Sequence, residues 1–269
     1  MDTMEKQNIL LQQYLTTVRN SLSIKPEGKL LICKNRKHDQ YYYKPASRDT
    51  RRIYIPKTNV SLITSLAQKD YDLRFLQTAK KLALETEELI NRGLLRDIHD
   101  LYQALAQVYQ NLSDSRKNLV SPYVLPDDLF VEKWKNVSYM GKSFSDNSPR
   151  LFTENGERVR SKSEKIIADK LRILGIPYRY ECPLRTRLLG QVFCDFTLLD
   201  VWNREEVILE HFGLLSKENY RDETVLKITA YSHEGYDIGR GFLFTMESEN
   251  QPLDTDYLEH MLRTRFPHI

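Results

Sequence analysis

Three runs of strand-forming residues follow one another between residues 178 and 212, with no helical segment between them. They are Tyr178–Leu184, Gln191–Leu199 and Glu206–Phe212. A helical pattern over Ser161–Leu174 precedes them, and a second helix over Lys217–His233 leads to a further strand at Gly241–Glu247. Three hairpin-linked strands followed by a crossover helix predict a mixed sheet with helices on both faces. This part of the chain is therefore predicted to be an α/β domain with an αβββαβ core.

The first 112 residues have a different pattern, in which helices flank a basic β segment. Apolar residues recur at helical spacing over 5–22, Asn59 can cap a long helix that reaches Ile90, and another helix covers 94–112. These features predict an N-terminal α+β region over 1–112, with helices plus a small basic β-sheet. Prolines and serines over 113–150 predict a linker or wrapping arm, and 151–269 forms the second domain.

The composition excludes several classes of protein. With 41% hydrophobic and 29% charged residues the chain can bury a core, which argues against a disordered tail or a disulfide-stapled miniprotein. No apolar run approaches the roughly 18 residues needed to span a bilayer, and MDTMEKQN lacks a signal-peptide core. Three cysteines without metal-site spacing favour free thiols in a reducing compartment. We therefore expect a cytoplasmic protein with no membrane partner.

Positive charge is concentrated in one segment of the first half. Residues 1–150 carry a net charge of +7 and residues 151–269 a net charge of −4. Lys25–Lys57 alone contains ten basic and three acidic residues together with four tyrosines, a mixture that suits phosphates and stacked bases. The residues predicted to contact nucleic acid here are Lys34, Arg36, Lys37, Tyr42, Lys44, Arg51 and Arg52. The alternative is a solvated hairpin whose tyrosines only pack on their neighbours.

Two carboxylates interrupt the apolar strands of the second domain. Asp195 lies inside QVFCDFTLL, and Glu210 follows in VILEHFG. An unpaired carboxylate in such a run costs several kcal/mol, so each needs a partner, most usefully a cation or a metal ion. Two carboxylates on adjacent strands are the minimum for a divalent metal site with oxygen ligands. The alternative is that one or both pair with Arg or Lys or mark strand ends at the surface.

Glu164 has two interpretations. Ser161 and Glu164 have the spacing of a capping box, with Ser161 as N-cap, and that role alone would explain the glutamate. In the functional interpretation, Glu164 extends from the first helical turn towards the metal, directly or through a water molecule.

The order of these elements and acids resembles the PD-(D/E)xK nuclease superfamily, which has the restriction-endonuclease-like fold. The resemblance rests on Glu164 in a helix, Asp195 in a strand and Glu210 in the next strand, over residues 161–247. VRSKSEKIIADKLRILGIPYRYECPL, DFTLLD and LEHFG also resemble uncharacterised nuclease-like proteins of Gram-positive bacteria and mobile elements, as does SLAQKDYD at Ser65–Asp72. The resemblance implies that Asp195 and Glu210 hold Mg²⁺ or Mn²⁺ with a backbone carbonyl near His211. It also implies that Glu164 holds a second metal or a metal-bound water.

Two positions depart from the motif of that superfamily. Cys194 replaces a proline, which changes little chemistry, whereas Phe212 occupies the position of the E-x-K lysine. The superfamily often relocates this lysine to the following helix, and Lys227 is the candidate here. It belongs to one helical face with Tyr220, Thr224 and Tyr231. The alternative for Lys227 is an ordinary surface lysine.

Further residues have weaker assignments. His211 could act as a general base or contact a phosphate, although strand alternation places it on the opposite face from Glu210. Tyr220 is a candidate phosphate contact. The remaining candidates precede the Glu164 helix, where phosphates would also meet a helix N-terminus: Arg158, Arg160 and Lys162.

These observations together predict a metal-dependent deoxyribonuclease that hydrolyses DNA phosphodiester bonds, with RNA left open as a substrate. A nuclease fold kept as a nucleic-acid-binding or scaffolding module is the alternative, motivated by Phe212. A hydrolase of another phosphodiester is a third interpretation. A homodimer is expected if both strands of a duplex are cut.

Overall fold

A computed structural model describes residues 3–35, 38–46, 51–94, 96–145, 149–213 and 218–269. The chain divides into two compact units, Met1–Leu129 and Phe130–Ile269. The division falls inside the stretch 113–150 that the sequence marks as a linker. That stretch contains two short helices, α4 (Asp114–Lys117) and α5 (Asp127–Lys135), which the proline-rich sequence around them concealed. Among the described residues, no helix is long and apolar enough to cross a membrane.

The first unit combines long helices with a small antiparallel sheet, as predicted. Its remaining elements are α1 (Thr3–Ser23), β1 (Lys29–Asn35), β2 (His38–Lys44), β3 (Ile53–Ile55), α2 (Val60–Asn91) and α3 (Ile98–Gln110). Asn59 caps α2, accepting a hydrogen bond from the amide of Leu62. Apolar residues of α1, α2 and α3 form one core, and one face of the β1-β2-β3 sheet packs on α2 to form a second.

A buried carboxylate connects three segments of this unit. Asp72 of α2 is fully buried and accepts hydrogen bonds from Ser21 at 2.7 Å, Gln68 at 2.9 Å and Tyr123 at 3.1 Å. Its neighbour Lys69 donates to the carbonyls of two loop residues between α1 and β1. The stretch Ser65–Asp72 thus joins elements that are distant in the sequence, through the side chains of Gln68, Lys69 and Asp72.

The second unit is a mixed sheet with helices on both faces, which confirms the predicted fold class. Its elements after α5 are β4 (Leu151–Phe152), β5 (Arg158–Val159), α6 (Lys162–Ile173), β6 (Tyr178–Thr186), β7 (Gly190–Asp200), β8 (Glu205–Phe212), α7 (Glu218–His233), β9 (Phe242–Met246) and α8 (Thr255–Arg265). The main sheet has the order β6-β7-β8-β9. The first two pairings are antiparallel, and β8 pairs with β9 in parallel after the α7 crossover.

Each face of the four-stranded sheet has its own core. Helices α6 and α8 cover one face, where Ile167 and Leu258 pack with Phe196. Helix α7 covers the other face, where Tyr231 packs with Phe212. Successive residues along β8 therefore point alternately towards α7 and towards α6 and α8. Ile208 and Phe212 lie on the α7 face, and Glu210, which lies between them at the same alternation, is on that face too.

Candidate active site

The two strand carboxylates lie opposite each other where the sheet pairing is interrupted. In the β7–β8 ladder the last pair is Phe196 with Leu209, so Asp195 and Glu210 occupy the next position beyond it. On the other side of β7, Glu181 has no ladder partner at Asp195, although the pairs before and after it form. Glu181 has φ of 47°, a left-handed conformation that costs energy for a residue with a side chain. Asp195 therefore lies at a local break on both sides of its strand.

This break changes which face of the sheet the β7 side chains occupy. Cys194 packs on the α7 face, whereas Phe196 packs on the face covered by α6 and α8. Strict alternation would place residues two apart on the same face, so the strand is irregular at Asp195. The amide of His211 donates to Asp195 Oδ2 at 2.8 Å, so a side chain accepts a hydrogen bond from the neighbouring strand here. The irregularity thus brings the Asp195 carboxylate next to Glu210.

Helix α7 supplies the partners of Glu210. The face predicted from the sequence does pack on the sheet, and Lys227 Nζ lies 2.8 Å from Glu210 Oε2. The Tyr231 hydroxyl, one turn later, donates to Glu210 Oε1 at 2.5 Å. Glu210 is only 1% exposed, and each of its two carboxylate oxygens accepts a hydrogen bond from a side chain of α7. Lys227 is thus not an ordinary surface lysine.

The electrostatics of this cluster favour an additional positive charge. Burial, followed by the charge of Glu210, raises the pKa of Asp195 well above its ordinary value, and Lys227 and the His211 amide only partly oppose this. Burial disfavours the charged form of Lys227, but Glu210 and Asp195 outweigh it and raise the pKa of the ammonium. Lys227 thus pairs with Glu210, and the charge of Asp195 also acts on it in a buried cluster.

Glu164 has the position expected of a helix-capping residue. Ser161 Oγ accepts from the Glu164 amide at 3.0 Å, and Glu164 Oε2 accepts from the Arg160 amide at 2.8 Å. The same oxygen accepts from the Tyr180 hydroxyl at 2.6 Å. The described part of the chain contains no group of three or more His, Cys, Asp and Glu side chains arranged to hold one metal ion. The structure therefore brings together two of the three predicted carboxylates.

The side chain of His211 lies on the face of the sheet opposite Glu210, as strand alternation predicts. It is buried, with Nδ1 at 2.9 Å from Thr245 Oγ1 and Nε2 at 3.4 Å from Glu247 Oε1. Ser163 Oγ donates to the second oxygen of Glu247 at 2.7 Å. Burial opposes the charge of Glu247, but its contacts with Ser163 and His211 hold the pKa below its ordinary value. The imidazole thus contacts residues behind the carboxylate pair.

Phe212, which occupies the motif-lysine position, is part of the core. It is 2% exposed and packs with Tyr231 and Phe242 under α7. Tyr220 packs against the same cluster, and burial together with the charge of Asp195 raises the pKa of its hydroxyl. Tyr220 therefore lies on the α7 face of the sheet, the face on which Glu210 lies.

The basic residues before α6 have different environments. Arg160 forms an ion pair with Glu181 and donates to the carbonyls of Lys142 and Ser143. The guanidinium groups of Arg158 and Arg160 each lie 4.3 Å from the ring centroid of Phe144. Lys162 is exposed at the start of α6. Arg160 thus has structural partners within its own unit, whereas Lys162 is exposed to solvent.

The predicted nucleic-acid residues of the first unit lie on or near the small sheet. Tyr42 is half-buried on β2, and Lys44, Arg51 and Arg52 are exposed. Lys34 is exposed at the end of β1 opposite Asp39. Arg36 and Lys37 lie outside the described residues.

Sequence reasoning did not assign several residues of this site. Tyr231 was placed on the correct helical face but given no role, although its spacing of four residues from Lys227 was a usable signal. Tyr180, Glu181 and Glu247 were missed because their contacts join elements far apart in the sequence. No local pattern identifies such partners.

Comparisons with known proteins give a distant relative. The chain is 26% identical over 215 residues to an uncharacterised protein of Methanocaldococcus jannaschii, and the match covers 76% of this chain. It spans only 18% of that much longer protein. Because 76% of this chain exceeds the length of either unit, the match includes parts of both. No family profile matches the chain, and no solved structure matches it.

Proposed function

We propose that this protein is a metal-dependent deoxyribonuclease that hydrolyses phosphodiester bonds with Mg²⁺ or Mn²⁺. The observation that carries the proposal is the position of Asp195 and Glu210, which lie opposite each other at an interruption of the sheet. Lys227 donates a hydrogen bond to Glu210 there. The αβββαβ order and these residues resemble the PD-(D/E)xK nuclease superfamily. In this interpretation, Lys227 takes the role of the lysine that Phe212 replaces.

The donor set fits a hard divalent cation. Asp195 and Glu210 offer carboxylate oxygens, and their proximity in a buried setting raises the pKa of Asp195, a charge imbalance that a cation would relieve. Asp195 and Glu210 would hold the ion, and Glu164 lies close enough for its charge to affect Asp195. A bound Mg²⁺ or Mn²⁺ would lower the pKa of a water molecule and offset the charge of the phosphate.

The residues around the carboxylates support this chemistry by orientation and charge. Tyr231 fixes one oxygen of Glu210, and the His211 amide fixes one oxygen of Asp195, so both carboxylates are preorganised. Lys227 keeps its proton because both acids stabilise the ammonium. From this position the ammonium would orient the attacking water or stabilise negative charge on a phosphate oxygen. Tyr220 and Lys162 would contact neighbouring phosphates.

The test is cleavage of supercoiled plasmid and of labelled single-stranded DNA with Mg²⁺, Mn²⁺ or EDTA. We expect cutting that requires metal and falls by about a hundredfold or more in Asp195→Asn, Glu210→Gln and Lys227→Met. Arg221→Met and Glu223→Gln are matched controls, because both residues are exposed on α7. Equal activity in Asp195→Asn and Glu223→Gln would exclude the proposed site. RNA and small phosphodiesters as substrates would define the specificity.

A catalytically inactive nuclease-fold protein that binds nucleic acid or acts as a scaffold is the second candidate. It is favoured by the fact that both oxygens of Glu210 already have partners, Lys227 and Tyr231. Under this alternative the wild-type protein binds DNA and leaves it intact with either metal. Light scattering at working concentration tests the expected homodimer, and a monomer would argue against cutting both strands as a dimer.

A further inference from the structure

The two faces of the small sheet in the first unit differ in chemistry. Leu30, Tyr43 and Ile55 belong to the face that packs on α2. Residues that alternate with them form the opposite face, which we call the outer face: Lys29, Leu31, Tyr42, Lys44 and Tyr54, with Arg52 beside them. The four tyrosines of this basic segment are therefore not equivalent, because Tyr41 and Tyr43 pack inward against the apolar cluster.

The aromatic residues of the outer face are arranged side by side. Tyr42 and Tyr54 are directly paired across β2 and β3, with their ring centroids 5.7 Å apart and nearly perpendicular. Tyr54 is 51% exposed, so much of its ring is available for stacking. The Arg52 guanidinium lies 4.9 Å from the centroid of the Tyr42 ring, a cation–π contact that holds positive charge beside the aromatic pair.

The charge of this face complements a polyanion. Lys29 and Lys44 are exposed and lie opposite each other in the β1–β2 register, at one end of the sheet. Together with Arg52 they place three positive charges around the two rings, within a segment of net charge +7. A chain that carries both phosphates and exposed π-faces matches this pattern.

We propose that the outer face binds single-stranded DNA, with an unpaired base stacked on Tyr54 and the backbone held by Lys29, Lys44 and Arg52. A base inside a duplex presents only its edge in the grooves, so stacking on a tyrosine requires an unpaired strand. The inference deepens the proposed function, on which it rests for DNA as the substrate. It assigns recognition of the strand to the first unit.

The test is fluorescence anisotropy in EDTA with labelled dT20 and with a duplex of equal length. Tyr54→Ala should weaken dT20 binding about tenfold, and Arg52→Gln should weaken it as well, with little change for the duplex. Tyr54→Phe keeps the ring and should bind like wild type. Tyr257→Ala, an equally exposed tyrosine in the second unit, and Arg74→Gln, an exposed arginine on α2, are the controls.

Salt dependence gives a second readout. Lys44→Gln should reduce the slope of log affinity against log salt for dT20 by about 0.7, as expected when one phosphate contact is lost. Equal effects of Tyr54→Ala and Tyr257→Ala, or tighter binding of the duplex through the same residues, would overturn the inference. A dimer that dissociates on Tyr54→Ala without DNA would also overturn it, because the face would then join two copies of the chain.

Binding in EDTA separates this inference from the proposed function. If dT20 binding depends on Tyr54 but no metal supports cleavage, binding of single-stranded DNA by the outer face is confirmed and the nuclease activity is not. If metal-dependent cleavage depends on Asp195 while Tyr54→Ala binds dT20 like wild type, the nuclease activity is confirmed and binding of single-stranded DNA by the outer face is not.

Discussion

Each unit of this protein contains buried carboxylate side chains, but the two units differ in how the carboxylate charge is compensated. In the first unit, Asp72 accepts hydrogen bonds from Ser21, Gln68 and Tyr123, which come from separate segments. In the second unit, Asp195 and Glu210 lie opposite each other, and Lys227 pairs with Glu210. The first arrangement satisfies a carboxylate with neutral donors, whereas the second crowds two carboxylates together at a break in a sheet.

The difference indicates which site stabilises the fold and which is available for chemistry. A satisfied buried carboxylate that connects several elements contributes to stability, and losing it leaves donors without acceptors. A pair whose repulsion is only partly offset is maintained at some cost, which is typical of functional sites. The following predictions test this contrast, from the largest expected effect to the smallest.

Removing the carboxylate should have opposite consequences in the two units. Asp72→Ala should lower the free energy of unfolding by about 3–4 kcal/mol, because three partly buried donors lose their shared acceptor and a fully buried side chain is truncated. Asp195→Asn in EDTA at neutral pH should leave it unchanged or raise it, because removing a buried charge that Glu210 repels outweighs the weakened hydrogen bond. Denaturant unfolding measures both. Glu87→Ala, an exposed acid on α2, should stay within about 0.5 kcal/mol.

Saturating Mg²⁺ or Mn²⁺ should stabilise the second unit through the carboxylate pair. Ligand at a hundred times its dissociation constant adds about 2.7 kcal/mol to the free energy of unfolding. We expect this gain in wild type and in Asp72→Asn, and its loss in Asp195→Asn and Glu210→Gln. Thermal unfolding with and without metal measures the gain. A metal-induced gain that survives both substitutions would place the ion elsewhere.

Two tyrosine substitutions compare the hydrogen bonds that each site receives. Tyr123→Phe removes one donor from Asp72 and should cost about 1–2 kcal/mol whether or not metal is present. Tyr231→Phe removes the donor of Glu210 Oε1 and should cost a similar amount in EDTA. With Mg²⁺ the second cost should shrink, because the freed oxygen can then bind the ion. Equal costs with and without metal for Tyr231→Phe would argue against Glu210 as a ligand.

The stability of the wild-type protein in EDTA should depend on the protonation of Asp195. Burial and Glu210 raise its pKa, so the folded state binds this proton more tightly than the unfolded state does. The contribution is therefore fully present below the unfolded pKa of about 3.9 and is lost as the pH rises through the folded pKa. Relative to Asp195→Asn, wild-type stability should fall by at most about 1.4 kcal/mol per pH unit within that window. A parallel pH profile for the two proteins would contradict the raised pKa.

Much of the fold could be predicted because it follows from local patterns. The αβββαβ order followed from periodicity, the α2 N-cap from Asn59 and the α6 N-cap from Ser161, since each depends on residues that are close in the sequence. Helix α5 was missed because prolines and serines around it resemble a loop. The role of Asp72 was also missed, because two of its three partners, Ser21 and Tyr123, are each 51 residues away in the sequence.

In the candidate site, too, some features follow from the sequence and others only from the tertiary structure. The sequence by itself determined that Asp195 and Glu210 interrupt apolar strands and that Lys227 and Tyr231 share one face of a helix. Only the tertiary structure decided that α7 packs this face on Glu210, that Glu164 is held by Tyr180, and that Tyr54 lies on the exposed face of its sheet. The physical reason is that periodicity fixes the direction of a side chain relative to its own element, whereas its partner depends on how distant elements pack.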